Sequence, residues 1–512
     1  MGSTRRKLAV PVLLNLVVFL VAPYTLTALK RCNWGAGGGP FGHLRQRIER
    51  YRAEARLPSI TVAAAKGGRI VWEESFGWAD VENRVAATPD TMYALASTSK
   101  ALTATGVMVL VERDLVDLDR PVSDYVGDVG LRADEGDLSD VTLRRIFAHT
   151  SGLPRFWCHY YEDELATRPS PRELVARYGS LVAPPGERFI YSNVGIALAR
   201  LVIEEVTGQG YTEFMESEVF GPLDMDRTAV ITAPYDDSAV AQKYEGEQRL
   251  PFSDMGMRAA GSAWASAHDL VRFGMFHLQE HLPEQEAILS EGTIEEMYES
   301  VDPRLPDHDR HLPWIEAPRL GFEAFHFGGH VHGGKVSFRL VPSEDIVVVV
   351  MSNGEEADTP KVADWVLDRL LPPFSWVDLV QEVGAKLGRS MAGGPTGGLP
   401  PGDWRGEIRT DEDDIPIHLG LDGDRAWLRV EGDSRGGGRR VESGAHVSGG
   451  DLFAHFAAHI PTTDTSRARH RTYLELSLRG DRLSGPVYAE SEGTFVFCLP
   501  FYVRLERAGP TE

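Results

Sequence analysis

The 512-residue sequence predicts two folded units: an α/β domain in which an antiparallel sheet packs on helices around an inserted helical part, then a smaller all-β domain. Three observations carry this reading. The strand-like runs Ile60–Ala65 and Ile70–Phe76 stand before a long stretch of helical periodicity, and the segment 338–352 with its apolar run Ile346–Val350 stands after it. A Gly- and Pro-rich break then separates this pattern from a C-terminal part that alternates apolar and polar residues with period two.

The elements follow in order. Arg5, Arg6 and Lys7 precede an uncharged, mostly apolar run from Leu8 to Leu29, closed by Lys30 and Arg31, so residues 1–31 read as a membrane anchor or signal segment. Leu26, Thr27 and Ala28 fit a small-x-small cleavage site poorly, which favours an uncleaved anchor. His43–Ala55 reads as a charged helix, and Lys66, Gly67 and Gly68 as the turn between the first two strands. Residues 40–380 form the first domain. The segment 381–402, with Gly393, Gly394, Pro395, Gly397, Gly398, Pro400 and Pro401, is a linker. Residues 403–512 form the all-β domain: Leu474, Leu476 and Leu478 alternate with Tyr473, Glu475 and Ser477, and Asp422-Gly423 and Gly480-Asp481 mark turns.

Composition narrows the function. Lys and Arg number 53 against 75 Asp and Glu, a net charge of -22 that disfavours nucleic acid and anionic lipid as partners. Three well-separated cysteines, Cys32, Cys158 and Cys498, indicate neither a disulfide framework nor a paired-Cys zinc site.

The strongest chemical signal is Ser97-Thr98-Ser99-Lys100 at the start of an apolar helix through Val107, Met108, Leu110 and Val111. A spacing of three puts both side chains on one helix face. A serine hydroxyl is a weak nucleophile until a base takes its proton, and a partly buried lysine has its pKa lowered toward that task. The helix N-terminus adds free N–H groups beside Ser97 where an oxyanion would develop. Alone the pattern is weak, because both residues are common on solvated helices. The second element, Pro185 to Asn193, is a loop entering the apolar helix Val194–Val206 and carries Tyr191 and Asn193. Singly, Tyr191 reads as a half-buried aromatic and Asn193 as a helix N-cap.

Together, Ser97-x-x-Lys100, Tyr191-x-Asn193 and His149-Thr150-Ser151-Gly152-Leu153-Pro154 resemble the serine β-lactamase and penicillin-binding-protein superfamily, in particular class C β-lactamases, D-amino-acid peptidases and related esterases. The likeness extends to Leu115–Val122 and Gly261–Leu270 and covers roughly residues 45–375. It implies a β-lactamase/transpeptidase-like sheet flanked by helices with a helical subdomain, while the alternating C-terminal part lies outside the likeness and reads by itself as a barrel-like all-β domain. It also implies a transient acyl group on Ser97, proton transfer through Lys100 and Tyr191, and Asn193 holding Lys100 and the substrate amide. The third family element, Lys-Thr-Gly or His-x-Gly, matches best at His326-Phe327-Gly328, with His330, His332 and Lys335 nearby; a backbone N–H near Gly329 would be the second oxyanion donor. On this reading His326, Gly328 and Gly329 bind substrate and no cofactor is needed.

The expected activity is therefore cleavage of small esters, amides or D-amino-acid peptides by a membrane-anchored or secreted enzyme whose catalytic domain lies outside the cytoplasm. A histidine holds a substrate carboxylate less firmly than a lysine, so esterase or peptidase activity is favoured over β-lactam hydrolysis. The competing expectation is a non-catalytic scaffold or ligand sensor that keeps the fold, with the β domain making contacts to a protein partner that the sequence does not identify. Ser151 is a reserve nucleophile only, and His149 is read as structural. Gly432-x-Ser434-x-Gly436 lies between β segments rather than between strand and helix, and is read as coincidence. His326, His330 and His332 lack an accompanying carboxylate pattern, so metal is the weaker reading. The acidic stretch Asp134–Asp140 reads as a solvated loop.

Overall fold

The computed structural model describes residues 39–235, 238–280, 282–301, 311–371, 401–433, 439–448, 450–492 and 496–508. Its first unit is built on a seven-stranded antiparallel sheet in the order Ile315–Glu316, Phe325–Val331, Gly334–Val341, Ile346–Ser352, Ser59–Lys66, Ile70–Asp80 and Val85–Ala86. The central pair explains why these segments read as continuous apolar runs. Val62 faces Val350 across the ladder, and every residue from Ile346 to Ser352 is buried. Ile346, Val348 and Val350 pack with Leu44 and Ile48 of the helix Gly42–Glu54 and with Val362 and Val366 of the helix Thr359–Leu370. Val347, Val349 and Met351 enter the opposite core with Leu270 and Phe273 of the helix Ala267–His277. A strand covered on both faces has no solvent side on which to alternate polar residues. A carboxylate at either set of positions would be buried unpaired, at a cost of several kcal/mol.

Helix Ser99–Glu112 is buried from Ser99 through Leu110 because it runs between the sheet and the helical part, so it carries no polar stripe. It begins two residues later than Ser97, which sits in a 3-10 turn, Ala96–Thr98.

The second unit is an antiparallel β-barrel. Eight strands from Gly402–Arg409 to Phe497–Arg507 pair in chain order, and the first closes on the last through Trp404↔Arg507 and Ile408↔Val503. Trp404, Leu419, Leu428, Leu474, Leu476 and Val503 fill its interior, so the barrel is a packed core. It joins the first unit through main chain, since Trp157–Cys158 pairs with Phe497 and Cys498.

The acidic stretch is solvated from Gly136 to Asp140, apart from the half-buried Leu138, but not at its start. Glu135 is buried and accepts hydrogen bonds from Ser484 Oγ and Tyr502 Oη of the barrel, and Asp134 is bonded to Ser180 and Arg409. Its partners lie far along the chain, where local pattern gives no sign of them. The N-terminal segment 1–31 falls outside the described residues, as does most of the 381–402 linker. Among the described residues no helix is long and apolar enough to cross a membrane.

Candidate active site

The turn Ala96–Thr98 is pinned from both sides. Leu95 N–H donates to Ala263 O at 2.9 Å, and Ala263 N–H donates to Ser99 Oγ at 3.1 Å. Ala96 takes a left-handed φ of 45°, an unfavourable conformation for a residue with a Cβ that the surrounding bonds must hold. The result leaves Ser97 partly exposed at the surface of an otherwise buried segment.

Two polar groups meet at its hydroxyl. Lys100 Nζ lies 3.1 Å from Ser97 Oγ, and Tyr191 Oη donates to the same oxygen at 2.6 Å. Lys100 is fully buried, and its other polar contact is a bond to Ala260 O at 2.9 Å. Burial pushes its ammonium well below the usual lysine range. A neutral amine donating to Ala260 O keeps a lone pair for the Ser97 proton, which is the arrangement a general base requires. Burial pushes the Tyr191 phenol up to about 12, with the Ser97 bond opposing that rise, so at neutral pH it is a proton donor. Two carriers of opposite protonation tendency thus flank one nucleophile.

Tyr191 is positioned by its neighbours. His149 Nδ1 accepts the Ser192 N–H at 3.1 Å, and its ring packs 4.4 Å from the Tyr191 ring. His149 itself has φ 58°. Ser192, not Asn193, caps the helix Asn193–Thr207: its Oγ accepts the Gly195 N–H. This frees the Asn193 side chain, whose amide nitrogen donates to Phe156 O while its buried Oδ1 has no partner among the described residues. The expected bond from Asn193 to Lys100 is absent from these contacts. A buried carbonyl oxygen left unmatched is costly, so this acceptor is available to an N–H donor.

On strand Phe325–Val331, Phe325, Phe327, Gly329 and Val331 are buried and alternate with His326, Gly328 and His330. Gly329 abuts the nucleophile turn: a Cβ there would lie 2.0 Å from Leu95 O and 3.1 Å from Thr98 Oγ1. His326 falls on the other face of the strand, 3.4 Å from Ile315 O, so the strand pleat separates it from the face that meets Ser97. The backbone at Gly329 reaches the turn that carries Ser97, whereas Gly328 shares the face of His326 and meets Val336 O, and the His326 ring is not brought to the turn. His330 pairs with Glu355 and His332 with Glu245, and the described residues hold no cluster of three or more metal-binding side chains. Ser151 is fully buried.

Reading the sequence for reactive side chains missed the main-chain groups. Ala260 O and Phe156 O, which hold Lys100 and Asn193, carry no side-chain signal of their own. It also missed how the barrel grips the Tyr191 loop. Arg188 Nη1 lies 2.9 Å from Asp451 and 3.5 Å from Glu475, Glu187 pairs with Arg479, and the Arg155 guanidinium lies 4.6 Å over the Tyr488 ring.

Comparisons with known proteins agree with this geometry. The chain is 28% identical over 207 residues to Protein flp of Staphylococcus aureus (strain COL), covering 40% of this chain and 41% of the relative. It is 26% identical over 331 residues to Unguisins hydrolase ungD' of Aspergillus campestris, covering 60% of each. The match thus spans about two fifths of the length of the Staphylococcus relative. Among solved structures, SurE aligns with a TM-score of 0.60 at 20% identity, over 92% of this chain and 100% of that one. The octameric penicillin-binding protein homologue from Pyrococcus abyssi aligns at 0.55 and 23%, over 91% and 99%. These two share the fold of both units. A class C β-lactamase aligns at 0.54 and 18%, over 64% of this chain and 96% of that one. The model of the Beta-lactamase family matches residues 44–371, the unit that holds Ser97, Lys100 and Tyr191, and the chain belongs to that family.

Proposed function

We propose that the protein is a serine hydrolase that forms and hydrolyses an acyl-enzyme on Ser97, cleaving small esters, amides or D-amino-acid peptides. The observation that carries this is the meeting of Lys100 Nζ and Tyr191 Oη at one serine oxygen, with the lysine in a dry site. Ser97 Oγ attacks the acyl carbonyl as Lys100 takes its proton, and Tyr191 gives its proton to the leaving group as the bond to that group breaks. In the second half a water attacks the acyl carbon, Tyr191 recovers a proton from it, and Lys100 returns its proton to the departing Ser97 oxygen. The Ser97 N–H and a strand N–H beside Gly329 would receive the oxyanion. Asn193 Oδ1 would accept a substrate amide N–H.

The substrate class is supported by relatives. One is named an unguisins hydrolase, and SurE, a structural neighbour with a TM-score of 0.58, carries D-Leu in one of its structures. With no lysine at the third element, a substrate carboxylate lacks a strong cation there, which favours esterase or peptidase activity over β-lactam hydrolysis. Anchoring by residues 1–31, with the catalytic unit outside the cytoplasm, belongs to the same proposal and is tested by membrane fractionation with external protease.

The test is the intact mass of the protein and of Ser97→Ala after exposure to a fluorophosphonate and, separately, to a labelled penicillin. Labelling of the wild type alone supports an activated Ser97, and slow loss of the penicillin adduct points to a peptidase. No adduct with either reagent would overturn the hydrolase and favour a non-catalytic scaffold.

A further inference from the structure

Away from Ser97 the structure holds a second cation in a dry setting. Lys243 is 6% exposed, and among the described residues its one hydrogen-bond partner is Ser253 Oγ at 3.1 Å. An ammonium has three N–H donors, so two remain, and no carboxylate pairs with Lys243 among the described residues. Burial lowers its pKa to about 8. A lysine so placed destabilises a fold that a methionine of similar length would fill at no such cost.

Lys243 lines a cavity of about 680 Å³ whose wall also includes Leu250, Phe252 and Trp264. That volume suits a small molecule. The cavity also holds two carboxylates. Asp80 is committed to Asn83 and lies 3.8 Å from Arg249, while Glu162 borders the space. The neighbouring imidazoles of His330 and His332 are taken up by Glu355 and Glu245, and burial keeps His159 neutral. Among the described residues around this cavity, Lys243 is therefore a buried cation without a paired anion.

The cavity is built against the catalytic turn. Trp264 shares one apolar cluster with Ala96 and Val331. At the hairpin after Phe325–Val331, Gly333 has φ 78°, and a Cβ there would lie 2.8 Å from Lys243 Cβ, so the hairpin and the lysine are in close contact. We propose that this cavity is a carboxylate-binding site, with Lys243 as the cation and Trp264, Phe252 and Leu250 receiving the apolar or aromatic body of the ligand. An N-acyl amino acid is the simplest ligand of that class. The site does not depend on acylation of Ser97.

The test is calorimetric titration of the full chain carrying Ser97→Ala with hippurate and with hippuramide, its uncharged counterpart. Hippurate is expected to bind at least about tenfold more tightly than the amide, as a charge-assisted contact requires. Adding Lys243→Met is expected to remove that preference, to weaken hippurate at least about tenfold, and to raise the melting temperature. Arg249→Gln, on the exposed rim, is expected to change binding by no more than about twofold. Equal binding of acid and amide, unchanged hippurate affinity in Lys243→Met, or no hippurate binding would each overturn the proposal. The acid-against-amide comparison needs no Lys243 variant, and failure of either comparison leaves the Ser97 labelling result untouched.

Discussion

Replacing Lys100 by methionine separates the chemistry of the site from its stability, because the same burial acts on both with opposite sign. The lysine is fully buried, contacts Ser97 Oγ and Ala260 O, and has no carboxylate partner among the described residues. Methionine keeps the unbranched shape but cannot take a proton. Loss of a positioned general base is expected to slow fluorophosphonate labelling by about 10²- to 10⁴-fold. The wild-type labelling rate should rise with pH through the lowered lysine pKa and then level, while the variant shows no such rise. For stability, the unfolded lysine titrates near its ordinary value of about 10.4 and the folded one well below it. Between those values the unfolded state holds more protons, so wild-type stability climbs with pH across that window. Lys100→Met should therefore be more stable than wild type at neutral pH, with the advantage fading as pH passes the unfolded lysine value. Denaturant melts and labelling rates on the same samples read both arms. A variant that labels at the wild-type rate, or that is less stable at every pH, would refute the reasoning.

Three further substitutions probe the geometry. Tyr191→Phe removes the proton donated to Ser97 Oγ and should lower turnover of a p-nitrophenyl ester by about 100-fold or more, with little change in melting temperature. Gly329→Ala places a methyl 2.0 Å from Leu95 O, so it should cost about 1–3 kcal/mol in a denaturant melt and reduce Ser97 labelling. Arg188→Ala removes an ion-pair partner of Asp451 and of the mostly buried Glu475, leaving Arg479 and Arg155 in the neighbourhood. It should cost about 1–3 kcal/mol and lower kcat more than it raises KM, because it loosens the loop that carries Tyr191 rather than a substrate contact.

Legibility followed the range of the interaction. Ser97 and Lys100 are three residues apart on a helical turn, so spacing puts them on one face, whereas Tyr191 and Asn193 stood out at a helix start only through the family resemblance. The central strands, like Ser97 and Lys100, were legible for a local reason. The third element was not. A His-x-Gly pattern points to His326, whereas the pleat sets by alternation which residues meet Ser97, and that phase was fixed by how Gly329 fits under Leu95 O. The N-cap was misplaced by one residue, from Ser192 to Asn193, because both residue types cap helices well. The acidic stretch looked solvated because Ser484 and Tyr502 lie about 350 residues further on than Glu135.

The barrel gains a physical role from these same contacts. Asn193 is held by Phe156 O; the next two residues, Trp157 and Cys158, pair with the last barrel strand, and Arg155, just before, stacks on Tyr488. On the other loop, Glu187 and Arg188 are tied to Arg479, Asp451 and Glu475. The loop that brings Tyr191 to Ser97 and the loop that holds Asn193 are thus both fastened to one closed sheet, whose sequential hydrogen bonds leave it little freedom to shear. Catalysis by proton transfer is steep in distance, so a donor on a loop needs a rigid backing. The sheet of the first unit supplies that backing for Ser97 through Gly329, and the barrel supplies it for Tyr191. A chain cut before Gly402 would keep every side chain at the nucleophile, yet it would lose the support of its proton donor.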